Sequence, residues 1–228
     1  MKILVTRPLA DGHQIAARLA GQGHQALLAP LLEPRFFEGP EPQLDDVQAV
    51  LATSANGVRA LVRRTARRDI PIFAVGPQTA EEAAAAGFTD VKSADGDAVA
   101  LAEAAARWAE PGAVLLHVCG EDAPGTLADM LSGRGFAVRR AVLYGMATAT
   151  ALPPDVRDAL GQGAVDAAMF FSPKTAGLFL ELARDLPIAG LTALCISPNT
   201  AKVLPASAFA RVQIAETPNQ DAMLKLVG

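Results

Sequence analysis

Four landmarks between residues 47 and 98 return, in the same order and at similar spacing, near the end of the chain. An apolar run at residues 47–52 closes in Thr53-Ser54-Ala55-Asn56-Gly57, and one at 167–171 closes in Ser172-Pro173-Lys174-Thr175-Ala176. Next come Ile72-Phe73-Ala74-Val75-Gly76-Pro77-Gln78-Thr79 and Leu194-Cys195-Ile196-Ser197-Pro198-Asn199-Thr200. Twenty-five residues separate Ser54 from Thr79, and twenty-eight separate Ser172 from Thr200. Each series then reaches an Asp-Ala pair, Asp97-Ala98 or Asp221-Ala222, placed to open a last helix. An ordered set of matches like this is the mark of an internal structural repeat.

A second, weaker pair surrounds the first. A strand at 2–5, a helix near 12–20 and a strand at 25–29 are matched by a strand at 113–118, a helix at 125–131 and a strand at 137–143. The stops Leu19-Ala20-Gly21-Gln22-Gly23 and Leu131-Ser132-Gly133-Arg134-Gly135 align residue for residue. Glycine just past a helix supplies the left-handed turn that other residues resist.

The order along the chain is therefore a, b, a′, b′. One lobe is contiguous, residues 38–143. The other joins residues 1–33 to residues 148–228. The crossings, about 31–37 and 139–147, are extended and fairly apolar and can pair as a two-stranded β linker. The alternative, one continuous sheet, strains the size of a single core for 228 residues.

Short Val/Leu/Ile runs alternating with Ala-rich amphipathic runs indicate an α/β fold: two similar three-layer α/β/α lobes with parallel sheets. With 51% apolar but only 5% aromatic residues, the cores must be built from small aliphatic side chains. A net charge of −4 argues against a nucleic-acid footprint. The densest basic cluster, Arg63, Arg64, Arg67 and Arg68, reads as a solvated helix face. Cys119 and Cys195 each end an apolar run and read as buried free thiols of a reducing compartment. There is no secretory h-region and no long apolar stretch, so a cytoplasmic protein without membrane contact is expected. The absence of an exposed aromatic stripe makes a monomer the default.

In parallel sheets, ligands bind beyond the carboxyl ends of the strands. Ser54, Gly76, Ser172 and Ser197 fall there, each before a helix whose first amides lack backbone partners. Such ends attract anions. Thr79 and Thr200 add hydroxyls three residues on, although Ser and Thr at these positions also serve simply as helix caps. A ligand with several carboxylates or phosphates fits four such loops on one rim. No phosphate-binding glycine motif, nucleophile elbow or metal-ligand spacing is present, so no cofactor and no metal are expected. Tyr144, the only tyrosine, ends an apolar strand; it reads equally as a half-buried strand residue or as a donor facing a ligand.

These motifs, taken together and in order, resemble uroporphyrinogen-III synthases. The resemblance runs from Val5-Thr6-Arg7-Pro8 through the Thr53 and Val75 turns, Val142-Leu143-Tyr144 and Phe170-Phe171-Ser172-Pro173 to Thr217-Pro218-Asn219-Gln220-Asp221-Ala222-Met223. It implies two lobes with an open cleft between them. The implied substrate is hydroxymethylbilane, a linear tetrapyrrole with eight carboxylates, cyclised with inversion of ring D and loss of water. It implies Tyr144 as the donor to the departing hydroxyl. The candidate substrate contacts are Arg7, Ser54, Ala55, Asn56, Gly76, Thr79, Gly120, Ser172, Pro173, Lys174, Ser197 and Thr200. One departure stands out: Ser197 occupies a position where the family commonly has glycine, and a serine there is expected to restrict positive φ and close backbone approach. The rival readings are a bilobal small-anion binding protein and a tetrapyrrole-binding homologue without catalysis. A Rossmann-type dehydrogenase or methyltransferase lacks its glycine loop.

Overall fold

The computed structural model describes residues 1–227. The chain begins β1 (Lys2–Val5), α1 (Leu9–Gly21), β2 (Gln25–Leu28) and β3 (Leu32–Phe36). It continues β4 (Val47–Ala52), α2 (Ala55–Val62), β5 (Ile72–Ala74), α3 (Pro77–Ala85), β6 (Val91–Ser93) and α4 (Ala98–Trp108). Then follow β7 (Val114–Gly120), α5 (Thr126–Ser132), β8 (Ala137–Thr148), α6 (Pro154–Gly161), β9 (Ala167–Phe170) and α7 (Pro173–Leu182). The last elements are β10 (Thr192–Cys195), α8 (Pro198–Ala201), β11 (Arg211–Ile214) and α9 (Gln220–Lys225).

Two compact units result, one of residues 1–33 with 147–228 and the other of residues 34–146. In the first, five strands take the order β11-β10-β9-β1-β2, all parallel. The N-terminal strand thus lies inside a sheet otherwise supplied mainly by the C-terminal third. Leu4, Ala168, Phe170 and Cys195 pack on one face against Val156 and Leu160 of α6 and Phe179 of α7. Ile3, Val5, Met169 and Leu194 pack on the other against Ile15 and Leu19 of α1 and Met223 of α9. Both faces are covered, which explains why these strands read as unbroken apolar runs.

The second unit has six strands in the order β3-β8-β7-β4-β5-β6. From β8 to β6 every pairing is parallel. Val50, Ala52, Leu116 and Val118 meet α2 and α3 through Val58, Leu61 and Ala83. On the opposite face Ala49, Leu51 and Leu115 meet α4 and α5 through Leu101, Ala105, Leu127 and Leu131. This is the α/β/α layering expected from the sequence, in both units. Trp108 makes an edge contact with Phe73 at 5.2 Å between ring centroids. Cys119 and Cys195 are buried free thiols.

The aligned stops have a common geometry. Gly23 and Gly135 take φ of 80° and 86°, and the next amides, His24 and Phe136, bond back to Leu19 and Leu131. Only glycine enters that region at low cost.

Three local expectations need correction. The strand expected at 137–143 and the crossing expected at 139–147 are one element, β8, whose inner part pairs with β7 while β3 lies on its other edge. The arginine cluster is not a helix face, because α2 ends at Val62. Arg63 lies over the Phe36 ring at 4.1 Å, Arg64 donates to the carbonyls of Phe37 and Pro40, and Arg68 donates to those of Thr65, Arg67 and Ala86. Those guanidiniums tie down a loop that has no ladder of its own. Finally, Asp97 caps α4 as its sequence suggests, but α9 is capped by Asn219, two residues before Asp221. Asn219 Oδ1 takes the Ala222 amide at 2.9 Å.

Candidate active site

Ser54, Gly76, Ser172 and Ser197 are the N-caps of α2, α3, α7 and α8. Their φ values are −159°, −164°, −160° and −156°, with ψ of 156°, 177°, 157° and 161°. The repeat therefore extends to the torsions of the loop. Each serine Oγ accepts an amide three residues on: Gly57 at 3.2 Å, Thr175 at 3.1 Å and Thr200 at 3.3 Å. Gly76 has no such side chain, and a Cβ placed on it would meet nothing within 4 Å.

These torsions remove the φ part of the concern about Ser197. Backbone at −164° is extended and open to any residue, so the Gly76 position does not need glycine for its φ. Ser197 holds the same backbone and adds a cap of the same kind as Ser54 and Ser172. Helix α8, however, is a single turn and carries less dipole than α2, α3 or α7.

Two of the threonine hydroxyls lie against the capping serines. Thr175 Oγ1 lies 3.0 Å from Ser172 Oγ, and Thr200 Oγ1 lies 3.1 Å from Ser197 Oγ, with Thr200 fully buried. Thr79 is buried too. Pro173 stands at the first position of α7, where its missing N–H costs nothing; it has no amide to offer a ligand. Ala55 opens α2, and Lys174 is an exposed residue in the first turn of α7. Arg7 forms an ion pair with Asp11 and covers the Phe171 ring at 5.0 Å, so its guanidinium is fixed within its own unit.

The second unit brings three candidates together. The Tyr144 hydroxyl lies 2.8 Å from Ser54 Oγ, joining β8 to the cap of α2. The Tyr144 ring rests on Gly120, where an added Cβ would fall 3.0 Å from ring carbon Cε2. The Phe36 ring stands 6.5 Å away. Tyr144 is only 8% exposed. Burial pushes its phenol pKa upward, and the Ser54 hydrogen bond pulls in the opposite direction. The net shift is upward, which leaves a protonated phenol at neutral pH: a donor, not a base.

Two features escaped the sequence reading. The first is His117, 2% exposed, whose Nε2 lies 3.3 Å from Thr53 Oγ1. It pairs in register with Leu51 and with Arg140, so it faces the layer of α4 and α5, whereas Tyr144 pairs with Gly120 and faces the layer of α2. Thr53-Ser54 is therefore bonded from both faces of the sheet. Burial, aided by the charge of Arg140, lowers the His117 pKa to about 4, so the ring is neutral. The second is Arg59, which donates to Asn56 Oδ1 at 3.1 Å and to Glu82 Oε2 at 2.6 Å. Sequence distance conceals both, since the partners are 64 and 23 residues apart.

No described helix is long and apolar enough to cross a membrane. Among the described residues, no three His, Cys, Asp or Glu side chains gather as a metal site.

Comparison with known proteins adds the family. A family model for uroporphyrinogen-III synthase HemD matches residues 13–225. No curated protein sequence matches. Among solved structures, uroporphyrinogen-III synthetase from Helicobacter pylori is similar at 19% identity, with a TM-score of 0.66 over 99% of this chain and 97% of that one. A mutant uroporphyrinogen III synthase from Thermus thermophilus is similar at 20% identity and a TM-score of 0.52, over 100% of this chain and 97% of that one. At such identities the structures speak for the fold alone, and the family assignment rests on the sequence match across nearly the whole chain. The chain belongs to the uroporphyrinogen-III synthase family.

Proposed function

We propose that this chain closes hydroxymethylbilane into uroporphyrinogen III, acting as a hydro-lyase. The family match carries the reaction, and the Ser54–Tyr144 pair at the head of α2 carries the assignment of a donor. In this reading the carboxylates of the substrate are taken up by amide-rich helix heads, with Ser54, Ala55 and Gly76 in one unit and Ser172 and Ser197 in the other. Backbone amides do most of this work, which is compatible with a chain of net charge −4. Lys174 and Arg7 supplement them, and the protein acts as a cytoplasmic monomer.

The reaction removes the terminal hydroxyl as water and leaves an electrophilic azafulvene at ring A. The substituted carbon of ring D attacks it, and the spiro intermediate fragments. Reclosure at the other position and loss of a ring proton complete the inversion. The protein's main task is to fold the substrate so that the substituted carbon reacts first. A donor aimed at the leaving hydroxyl assists the first step.

Tyr144 suits that role for a local reason. Ser54 Oγ already accepts the Gly57 amide, so its own proton is available to the Tyr144 oxygen. The phenol proton is then left to point away from Ser54, toward a ligand. Tyr144→Phe is expected to slow turnover severalfold or more while the chain still folds; unchanged turnover removes Tyr144 from the mechanism. The reading as a whole is tested by supplying hydroxymethylbilane and identifying the product isomer. Spontaneous closure gives type I, so type III product supports the proposal, and type I alone at the rate of the blank overturns it.

A further inference from the structure

Asn56, the second residue of α2, stands in the first turn next to the Ser54 cap. An asparagine amide has one accepting and two donating faces, and the two are interchanged by a half-turn about χ2. Which face a ligand meets decides whether that ligand must be an acceptor or a donor. Arg59 settles the matter for this chain. A guanidinium has five donors and no acceptor, so whatever group of Asn56 lies 3.1 Å from Arg59 Nη1 must be the oxygen.

The guanidinium is itself held. Its Nη2 donates at 2.6 Å to Glu82, in the second turn of α3, and the two side chains are only 13% and 23% exposed. Glu82 belongs to the helix capped by Gly76, so one ion pair ties together the two helices whose heads carry Ser54 and Gly76. A planar fork bonded on both prongs cannot swing away as a lysine would.

We infer that Arg59 is a positioning residue that locks the Asn56 amide with its Nδ2 as the group left for a ligand, making the first turn of α2 a donor matched to a substrate carboxylate. This deepens the proposed synthase reading and rests on it. In this arrangement Arg59 acts through Asn56, with its guanidinium bonded to Asn56 Oδ1 and Glu82 Oε2. The arrangement converts a positive side chain into a neutral, directional donor, which selects a carboxylate by geometry and does not gather anions of every kind.

Two variants separate this from a structural role. Asn56→Asp keeps an oxygen for Arg59, and the charge-assisted bond to it becomes an ion pair, so the melting temperature should stay level or rise. The outward group, however, becomes an acceptor bearing charge, and KM for hydroxymethylbilane should rise about tenfold or more. Arg59→Met leaves the amide free to turn, and KM should rise about threefold to tenfold with kcat within about twofold of wild type. Binding of uroporphyrin III, a stable octacarboxylate, is measured by calorimetry on the same proteins, so affinity is read without turnover. The expected result is weaker binding by both variants, with Asn56→Asp at least as heat-stable as wild type. The inference is overturned if either variant binds within twofold of wild type, or if Asn56→Asp loses affinity only together with its fold. Failure of the synthase reading has a different signature: the wild type itself makes only type I product, whatever the variants bind.

Discussion

His117 is a histidine that folding forbids to charge, and this makes stability depend on pH in a calculable way. Its ring is 2% exposed, its Nδ1 has no partner among the described residues, and the like charge of Arg140 is nearby. Its pKa is 6.5 in the open chain and about 4 in the fold. Between those values the unfolded chain binds a proton that the native chain does not, so stability increases with pH there. The contribution is fully present above pH 6.5 and is lost as pH falls toward 4. At about 1.36 kcal/mol per pKa unit, it amounts to roughly 3 kcal/mol across the window. His117→Leu abolishes the titration. The measurement is urea unfolding of both proteins at intervals from pH 7.5 to pH 4.5. His13, His24 and the carboxylates are common to both and cancel in the difference. Wild type should lose about 2 kcal/mol more than the variant between pH 7 and pH 5. Curves that run parallel through that range would show that His117 is not held neutral, and the description of this face of the sheet would be wrong.

The single tyrosine gives a direct optical probe of the site. Its ultraviolet titration should have a midpoint above that of an ordinary phenol, and Ser54→Ala, which removes the bond that opposes the shift, should raise it further. The same variant loses the α2 cap and should cost about 1 kcal/mol in urea unfolding. A midpoint unmoved by Ser54→Ala would break the Ser54–Tyr144 link. Gly120→Ala puts a methyl against the Tyr144 ring and should lower kcat severalfold with near-native circular dichroism; wild-type kcat would show that the ring does not depend on Gly120.

The layered parallel fold was legible because its causes are local. Strands buried on both faces read as apolar runs, and helices that stop at Gly23 and Gly135 announce their ends. The caps were legible too, since Ser54, Ser172 and Ser197 follow strands and precede helical runs. What was hidden depends on register. His117 meets Thr53 only because β7 and β4 pair with Leu51 opposite His117, and Arg59 reaches Glu82 only once α2 and α3 lie side by side. The arginine cluster misled because charge pattern alone does not distinguish a helix face from a loop stapled through its carbonyls. The expectation that Ser197 would restrict φ failed for a related reason, since φ there is a property of the cap and not of the residue.

The two copies of the repeat differ where chemistry would need them to. In the first unit the residue three beyond each capping serine is threonine, and its hydroxyl occupies the serine: Thr175 on Ser172, Thr200 on Ser197. At the matching place beyond Ser54 stands Gly57. Helix α2 passes so close to β7 that a Cβ on Gly57 would lie 3.0 Å from the Val118 carbonyl oxygen, so packing disfavours a threonine there. With no neighbouring hydroxyl to satisfy it, Ser54 is left for Tyr144. The tyrosine has no twin either, for the residue nine positions beyond Gly23, as Tyr144 is beyond Gly135, is Leu32. A close contact made for packing thus leaves one serine of the three with a second bond open, and a single tyrosine without a counterpart in the repeat fills it. The repeat supplies helix heads with oriented amides in both units, and the proposed donor arises where the repeat is broken.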